Sequence, residues 1–320
     1  DKDLIGILHL GKSLEYFPVF RFLKVIKSKL VLILNLGNFG NPTFVDFSFK
    51  FFFKRFKHFY DKGLYYVFRI LTIFNYFPKI DILFESDLDI IKKINNGLSK
   101  RFDNIIRFFK ISYFKKIIKV NSKSHDYVIK NKIKNQKGSY ILFVDTPVDH
   151  SDRVRREGSV SKNIKKKYYD RLNLYLTKLS KLLKKKVVIC PHPKMQKPKK
   201  FFPNFVISKK STINMIPNSY VVLFSLSSAI SLAIYLKKNI ISVQSDLLGE
   251  HFRKLSSKYI NALNLTKINI DQEILLQKKD IIFKKKSLKF YNRFITNKLK
   301  IDGNITSDKR IYNEINKNFF

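Results

Sequence analysis

Cysteine occurs once in 320 residues, at Cys190, which leaves nothing for it to pair with inside the chain and fits a reducing compartment. The expected location is therefore cytoplasmic. Tryptophan is absent, and methionine is limited to two residues. There is also no apolar run of the roughly 18 to 20 residues that a membrane span needs; the longest candidate, Leu30 to Leu36, has the length of a strand. No signal-peptide pattern is visible, and a start at Asp1 is what a trimmed or incomplete form of a longer protein would show. Acidic residues are scarce, 24 against 64 Lys and Arg, for a formal net charge of +40.

That excess favours anionic partners, nucleic acid or an anionic membrane surface among them. An AT-rich coding sequence explains it equally well, because the basic residues are mostly Lys and travel with abundant Ile, Asn and Phe. What the chain does contain excludes global disorder: 45% of it is hydrophobic and 15% aromatic, with 31 Phe and 16 Tyr. Its length favours two domains over one.

Apolar runs of strand length punctuate the whole chain. In the first half they are Leu4 to Leu10, Leu30 to Leu36, Ile80 to Phe84 and Phe114 to Val120, with helices expected over Ser13 to Lys27 and Leu88 to Lys100. Gly37 to Pro42 is the strongest turn cluster. Phe49, Phe52, Phe53 and Phe56 fall at helical spacing with lysines between them, a pattern for a helix packed on a sheet or, less readily, lying on a membrane. The Lys- and Asn-rich stretch Lys130 to Gly138 reads as a linker.

The second half alternates more cleanly. Strands are expected at Tyr140 to Val144, Val187 to Cys190, Phe205 to Ile207, Tyr220 to Phe224 and Asn239 to Val243. A long helix over Ser161 to Lys185 carries the apolar stripe Tyr168, Leu172, Tyr175, Leu179, Leu182 and Leu183, and a shorter one runs from Ala229 to Leu236. Continuous apolar strands separated by helices predict an α/β fold with parallel sheets covered on both faces. From Asp271 to Lys300 the pattern is helical, basic and aromatic. The expected division is 1–135 and 136–320.

In such a sheet, ligands collect where strands end. Three ends in the second half are polar: Asp145 with Asp149 and His150, His192 with Lys194, and Ser225 with Ser227 and Ser228. His192 sits between two prolines in a turn that can barely move, and no apolar periodicity calls for a histidine there. Ser227 or Ser228 is placed to cap the following helix, which would give an anion site. Together with Lys194 these groups can hold one phosphate. Asp87-Leu88-Asp89 matches a metal-binding Asp-x-Asp pattern formally, but helix capping explains it and no metal is expected.

His192-Pro193, followed about 35 residues later by Ser227-Ser228-Ala229-Ile230, resembles the His-Pro and Ser motifs of bacterial sialyltransferase-like and related capsule and lipooligosaccharide glycosyltransferases. The strand running into Asp145, with His150 and Asp152 in the loop behind it, is similar to the start of their donor half. The resemblance covers about residues 140–243. It implies a GT-B-like fold, two Rossmann-like domains facing a cleft, with an acceptor-side domain first and a nucleotide-sugar-binding domain second. It implies transfer of a sugar, often CMP-linked and acidic, to a glycan or lipid-linked acceptor without a metal; the lysine excess in turn suits peripheral contact with an anionic membrane at its inner face.

By the same resemblance His192 and Ser227 or Ser228 hold the donor phosphate, and Lys194 is added to them on its position. The family's catalytic carboxylate, an acidic pair followed by glycine in the first domain, has no copy in this chain. The base is therefore sought at Asp145 first, with Glu85 and Asp87 at a strand end of the first half as the other candidates. Two other functions compete. One is a CDP-polyol phosphotransferase of teichoic-acid type, which uses similar elements. The other is nucleic-acid binding, supported by charge alone.

Overall fold

A computed structural model describes residues 5–8, 29–33, 80–86, 114–146, 148–149, 154, 158–193, 195–272, 285–300 and 305–319. The expected helices over 13–27 and 88–100, the turn at 37–42 and the aromatic helix around residues 49–56 lie outside them. Two compact units divide the chain, one made of Asp1–Asp126 with Lys300–Phe320 and the other of Tyr127–Leu299.

The first unit holds four parallel strands in the order β1 (Ile5–Leu8), β2 (Lys29–Ile33), β3 (Ile80–Glu85) and β4 (Phe114–Lys119). Helix α1 (Lys123–Lys130) follows β4. Ile82, Phe84, Ile118 and Val120 bury against Ile315. The C-terminal residues, assigned by sequence to the second domain, cluster here, and the hydrogen bonds show why. Ser307 donates its N–H to Asp126 Oδ1 at 3.0 Å and its hydroxyl to the Asn121 carbonyl at 3.0 Å, while Asn121 Nδ2 reaches the Ile305 carbonyl at 2.7 Å.

In the second unit the strands are β5 (Tyr140–Val144), β6 (Val187–Cys190), β7 (Val206–Ile207), β8 (Ser219–Phe224), β9 (Asn239–Gln244) and β10 (Thr266–Asn269). Between and after them run α2 (Lys162–Leu183), α3 (Pro198–Phe201), α4 (Thr212–Met215), α5 (Ile230–Tyr235), α6 (Glu250–Leu263) and α7 (Lys285–Phe294). Helix α8 (Ser307–Phe319) belongs to the first unit.

All six strands are parallel, in the order β10-β9-β8-β5-β6-β7. Numbered within the unit, that is the 3-2-1-4-5-6 order of the doubly wound Rossmann sheet. The expected α/β class, with Rossmann-like parallel sheets, is what the chain forms. Strand β6 is buried along its whole length, and β5, β8 and β9 nearly so, because helices cover both faces; the edge strands β7 and β10 are more exposed.

One face is covered by α2. Ile141, Phe143, Val187, Ile189, Val221 and Leu223 pack against Tyr168, Leu172, Leu176 and Leu179 of that helix. Each fully buried leucine there contributes about 2 kcal/mol. Ser161 caps the helix, its hydroxyl accepting from the Ile164 N–H at 3.3 Å, and Lys184 ends it in the left-handed region at φ 51°. Among the described residues no helix is long and apolar enough to cross a membrane.

Where the linker meets the sheet the chain is packed backbone to backbone. Lys238, 4% exposed, donates to the carbonyls of Gln136, Pro217 and Ser219 at 3.1, 2.5 and 2.9 Å. Beside them, a Cβ on Gly138 would stand 2.2 Å from both Cα and N of Tyr220. Gly138→Ala is therefore expected to lower stability by about 2 kcal/mol or more, read as a fall in the urea midpoint, since main chain cannot give way as a side chain does.

Candidate functional site

The register of the central strands brings three chain ends to one line. Val144 pairs with Cys190 of β6 on one side and with Phe224 of β8 on the other, so Asp145, Pro191 and Ser225 leave the sheet together. The Asp145 N–H still bonds to the Cys190 carbonyl at 3.0 Å, and Thr146 Oγ1 donates to the Leu226 carbonyl at 2.5 Å. From β5 the order runs to β6 and β7 on one side and to β8, β9 and β10 on the other. The gap between the ends of β5 and β8 is the topological switch point, the usual ligand crevice of this sheet.

His192 follows β6 and Ser227 and Ser228 follow β8, so the two halves of the expected phosphate site share one edge of the sheet with β5 between them. Their strands stand about 10 Å apart, twice the usual spacing. His192 and Ser227 are half-buried and Ser228 is exposed. The His192 carbonyl accepts from the Met195 N–H at 2.8 Å, which closes the Pro-His-Pro turn. Lys194, His150 and Asp87 lie outside the described residues.

The capping expectation for the serines is corrected. Helix α5 spans six residues and its N-cap is Ala229, with no side-chain hydrogen bond; the Ser227 hydroxyl instead accepts from the Ala229 N–H at 3.3 Å. So short a helix has little macrodipole to offer an anion.

Asp145 differs from what its strand-end position led us to expect. It is 2% exposed, and neither carboxylate oxygen has a hydrogen-bond partner among the described residues. Strand alternation continues the Ile141–Phe143 face through Asp145 and the Val221–Leu223 face through Ser225, both towards α2. There the hydroxyls of Ser225, Tyr168 and Tyr169 are also buried; none makes a hydrogen bond of ordinary geometry among the described residues, although Ser225 lies close to Tyr168 and the Val148 backbone close to Tyr169. Burial, reinforced by the Asp149 charge, pushes the Asp145 carboxyl up to about 7, while the Thr146 N–H and Lys165 pull the other way. The Thr146 N–H acts without a hydrogen bond of ordinary geometry. Tyr168 was read from sequence as apolar stripe, and periodicity alone could not show that its hydroxyl ends beside a carboxylate.

Asp149 is exposed and paired with Lys165, Nζ to Oδ2 2.5 Å. Glu85 belongs to the first unit, where it ends β3, is 2% exposed and accepts from its neighbour, the Ser86 N–H, at 2.6 Å. Among the described residues no group of three or more His, Cys, Asp or Glu is placed to hold a metal ion. The structure thus gathers Asp145, His192, Ser227 and Ser228 at the carboxyl edge of one sheet.

No protein-family model matches the chain, and no curated protein matches it. Among solved structures, it is similar to the wall teichoic acid polymerase TagF, at 12% identity and a TM-score of 0.41 over 90% of this chain and 68% of that one. It is similar to S. aureus MnaA solved with UDP, at 11% and 0.38 over 100% and 98%. A third is Thermosulfurimonas dismutans KpsC, a beta Kdo 2,7 transferase, at 11% and 0.31 over 99% of each chain. These TM-scores lie below 0.5, and the fold rests on the strand order of the chain itself.

An acid whose pKa rises on folding binds extra protons in the native state, so stability falls as pH rises from about 4 to about 7. The full penalty is of order 4 kcal/mol above that window. Asp145→Asn removes the charge and keeps the shape. The variant is expected to be more stable than the parent at about pH 8 and to gain little at about pH 4.5, measured by urea unfolding at both.

Proposed function

We propose that this chain is a glycosyltransferase of bacterial surface-polysaccharide (capsule or lipopolysaccharide) biosynthesis. It moves a sugar from a nucleotide donor, a CMP-activated acidic sugar, to a glycan or lipid-linked acceptor without a metal. The observation that carries this is the placement of His192, Ser227 and Ser228 on either side of β5 at the switch point of a Rossmann-ordered sheet. The resemblance of those same residues to the His-Pro and Ser motifs supplies the donor class.

The roles follow from the chemistry of each group. His192 and the two serine hydroxyls donate to the donor phosphate and stabilise the charge that gathers on it as the glycosidic bond breaks, and Lys194 adds a positive charge. Asp145, with a pKa near neutrality, takes the acceptor proton. At 2% exposure it does so through the neighbouring Ser225 hydroxyl or a water rather than by direct contact. The high positive charge favours an acidic donor and an acceptor anchored in an anionic membrane, in keeping with a protein that works in the cytoplasm at the inner face of that membrane.

Titration calorimetry with a CMP-linked sugar acid tests the site. His192→Ala and Ser227→Ala are each expected to weaken binding about tenfold or more, the loss of one charge-assisted hydrogen bond, while Glu85→Gln leaves it unchanged. Unchanged affinity in His192→Ala would remove the phosphate site. A preference for a CDP-polyol over the CMP-sugar would instead select the phosphotransferase.

A further inference from the structure

Beside the switch point, on the α2 and α3 side of the sheet, lies a pocket of ≈ 290 Å³ lined by Asp149, Lys165, Lys197, Lys200, Met195 and Gln196. Phe201 closes its wall. Lys165 is fixed from two directions: its Nζ meets Asp149 Oδ2 at 2.5 Å and stands 4.5 Å from the centre of the Phe201 ring. Lys197 and Lys200 have no acidic partner among the described residues. Three lysines thus face one carboxylate.

The backbone at Lys197 adds an independent sign. Lys197 has φ 49° and ψ 56°, the left-handed region, immediately before Pro198. A residue with a Cβ is disfavoured there, and one preceding proline more so. Unlike Lys184, Lys197 does not close the C-terminus of a helix, and strain away from helix C-termini often marks ligand sites.

We infer that this pocket binds the negatively charged, hydroxyl-bearing group that the enzyme transfers, through its carboxylate or phosphate. Size supports a single such group, since ≈ 290 Å³ is at the small end of ligand sites and too small for a whole nucleotide sugar. Position supports it as well: the turn closed by the Met195 N–H and the His192 carbonyl leads from the proposed phosphate contact directly into the pocket. Lys197 and Lys200 meet the anion, while Asp149 and Gln196 discriminate among hydroxyls. Assignment to the transferred group rests on the nucleotide-sugar function proposed above; the pocket's preference for a hydroxylated anion does not.

The chain has two methionines, Met195 in the pocket and Met215 away from it, so methyl-labelled methionine gives a probe and an internal control. The full chain is titrated at constant ionic strength with N-acetylneuraminate, glycerol phosphate, neutral N-acetylglucosamine and CMP, the Met195 signal being identified by Met195→Leu. The Met195 methyl is expected to shift saturably with the two anions and not with the neutral sugar, while Met215 stays still. Lys197→Asn combined with Lys200→Gln should weaken the response at least tenfold, and asparagine tolerates the left-handed backbone. No Met195 response, an equal response to the neutral sugar, or an unweakened double variant overturns the pocket. CMP binding, followed by calorimetry on the same sample, separates the two proposals. CMP bound without an anion response overturns the pocket alone; an anion response without CMP binding supports the pocket and overturns the nucleotide site.

Discussion

Strand β5 is hydrogen-bonded on both sides, to β6 and to β8, and this double parallel pairing governs the rest of the second unit. Parallel neighbours cannot be joined by a tight turn, so each connection must cross back over the sheet and cover a face. That cover is why the strands can be apolar from end to end. It is also why the first polar residues after them, Asp145, His192 and Ser225, come out at one edge. The crevice results from the chain setting off in opposite directions from β5.

Two aspartates near that edge sit in opposite electrostatic settings. Asp271 follows β10 and is also largely buried, which by itself would raise its pKa. It is held instead by Arg171 Nη1 at 2.5 Å, the Ser245 hydroxyl at 2.8 Å and the Asp246 N–H at 2.5 Å, which outweigh burial and bring it below the usual carboxylate value. Asp145 has none of these and moves the opposite way. Among the described residues no cation pairs directly with Asp145, and Lys165 offsets only part of its burial, which makes the carboxylate costly for folding. The neighbouring hydroxyls of Ser225 and Tyr168, which lie close together without a hydrogen bond of ordinary geometry among the described residues, make the site polar.

The central strands were legible because each is a continuous β-branched or aromatic run with a helix on either side; β5 and β6 fall on the expected residues, β8 and β9 within one. Strand β10, Thr-Lys-Ile-Asn, has one apolar residue in four because it lies on an edge, and neither it nor α6 was anticipated. Terminal helices were expected, but in the second domain; the attachment of α8 to the first unit depends on long-range bonds to Asn121 and Asp126. Strand ends told where polar groups would gather. Strand order, which decides that β5 lies between His192 and Ser227, is a property of pairing and leaves no mark in local pattern. The burial of Asp145 was hidden for the same reason: it depends on α2 lying across the ends of β5 and β8. The lysines of the pocket were counted only within the general excess of charge.

The β5–β8 pairing also has a consequence in time. The bond from Thr146 to Leu226 that seals it joins residues 80 apart. Loop closure over that distance adds little to the equilibrium cost, but non-local parallel pairing is slow to form. During synthesis β5, β6 and β7 are available before β8 exists, so one side of β5 waits with its N–H and C=O groups unpaired. The seam where ligand is expected to enter thus cannot close until β8 is made, and until then it is a sheet edge open to pairing with another chain.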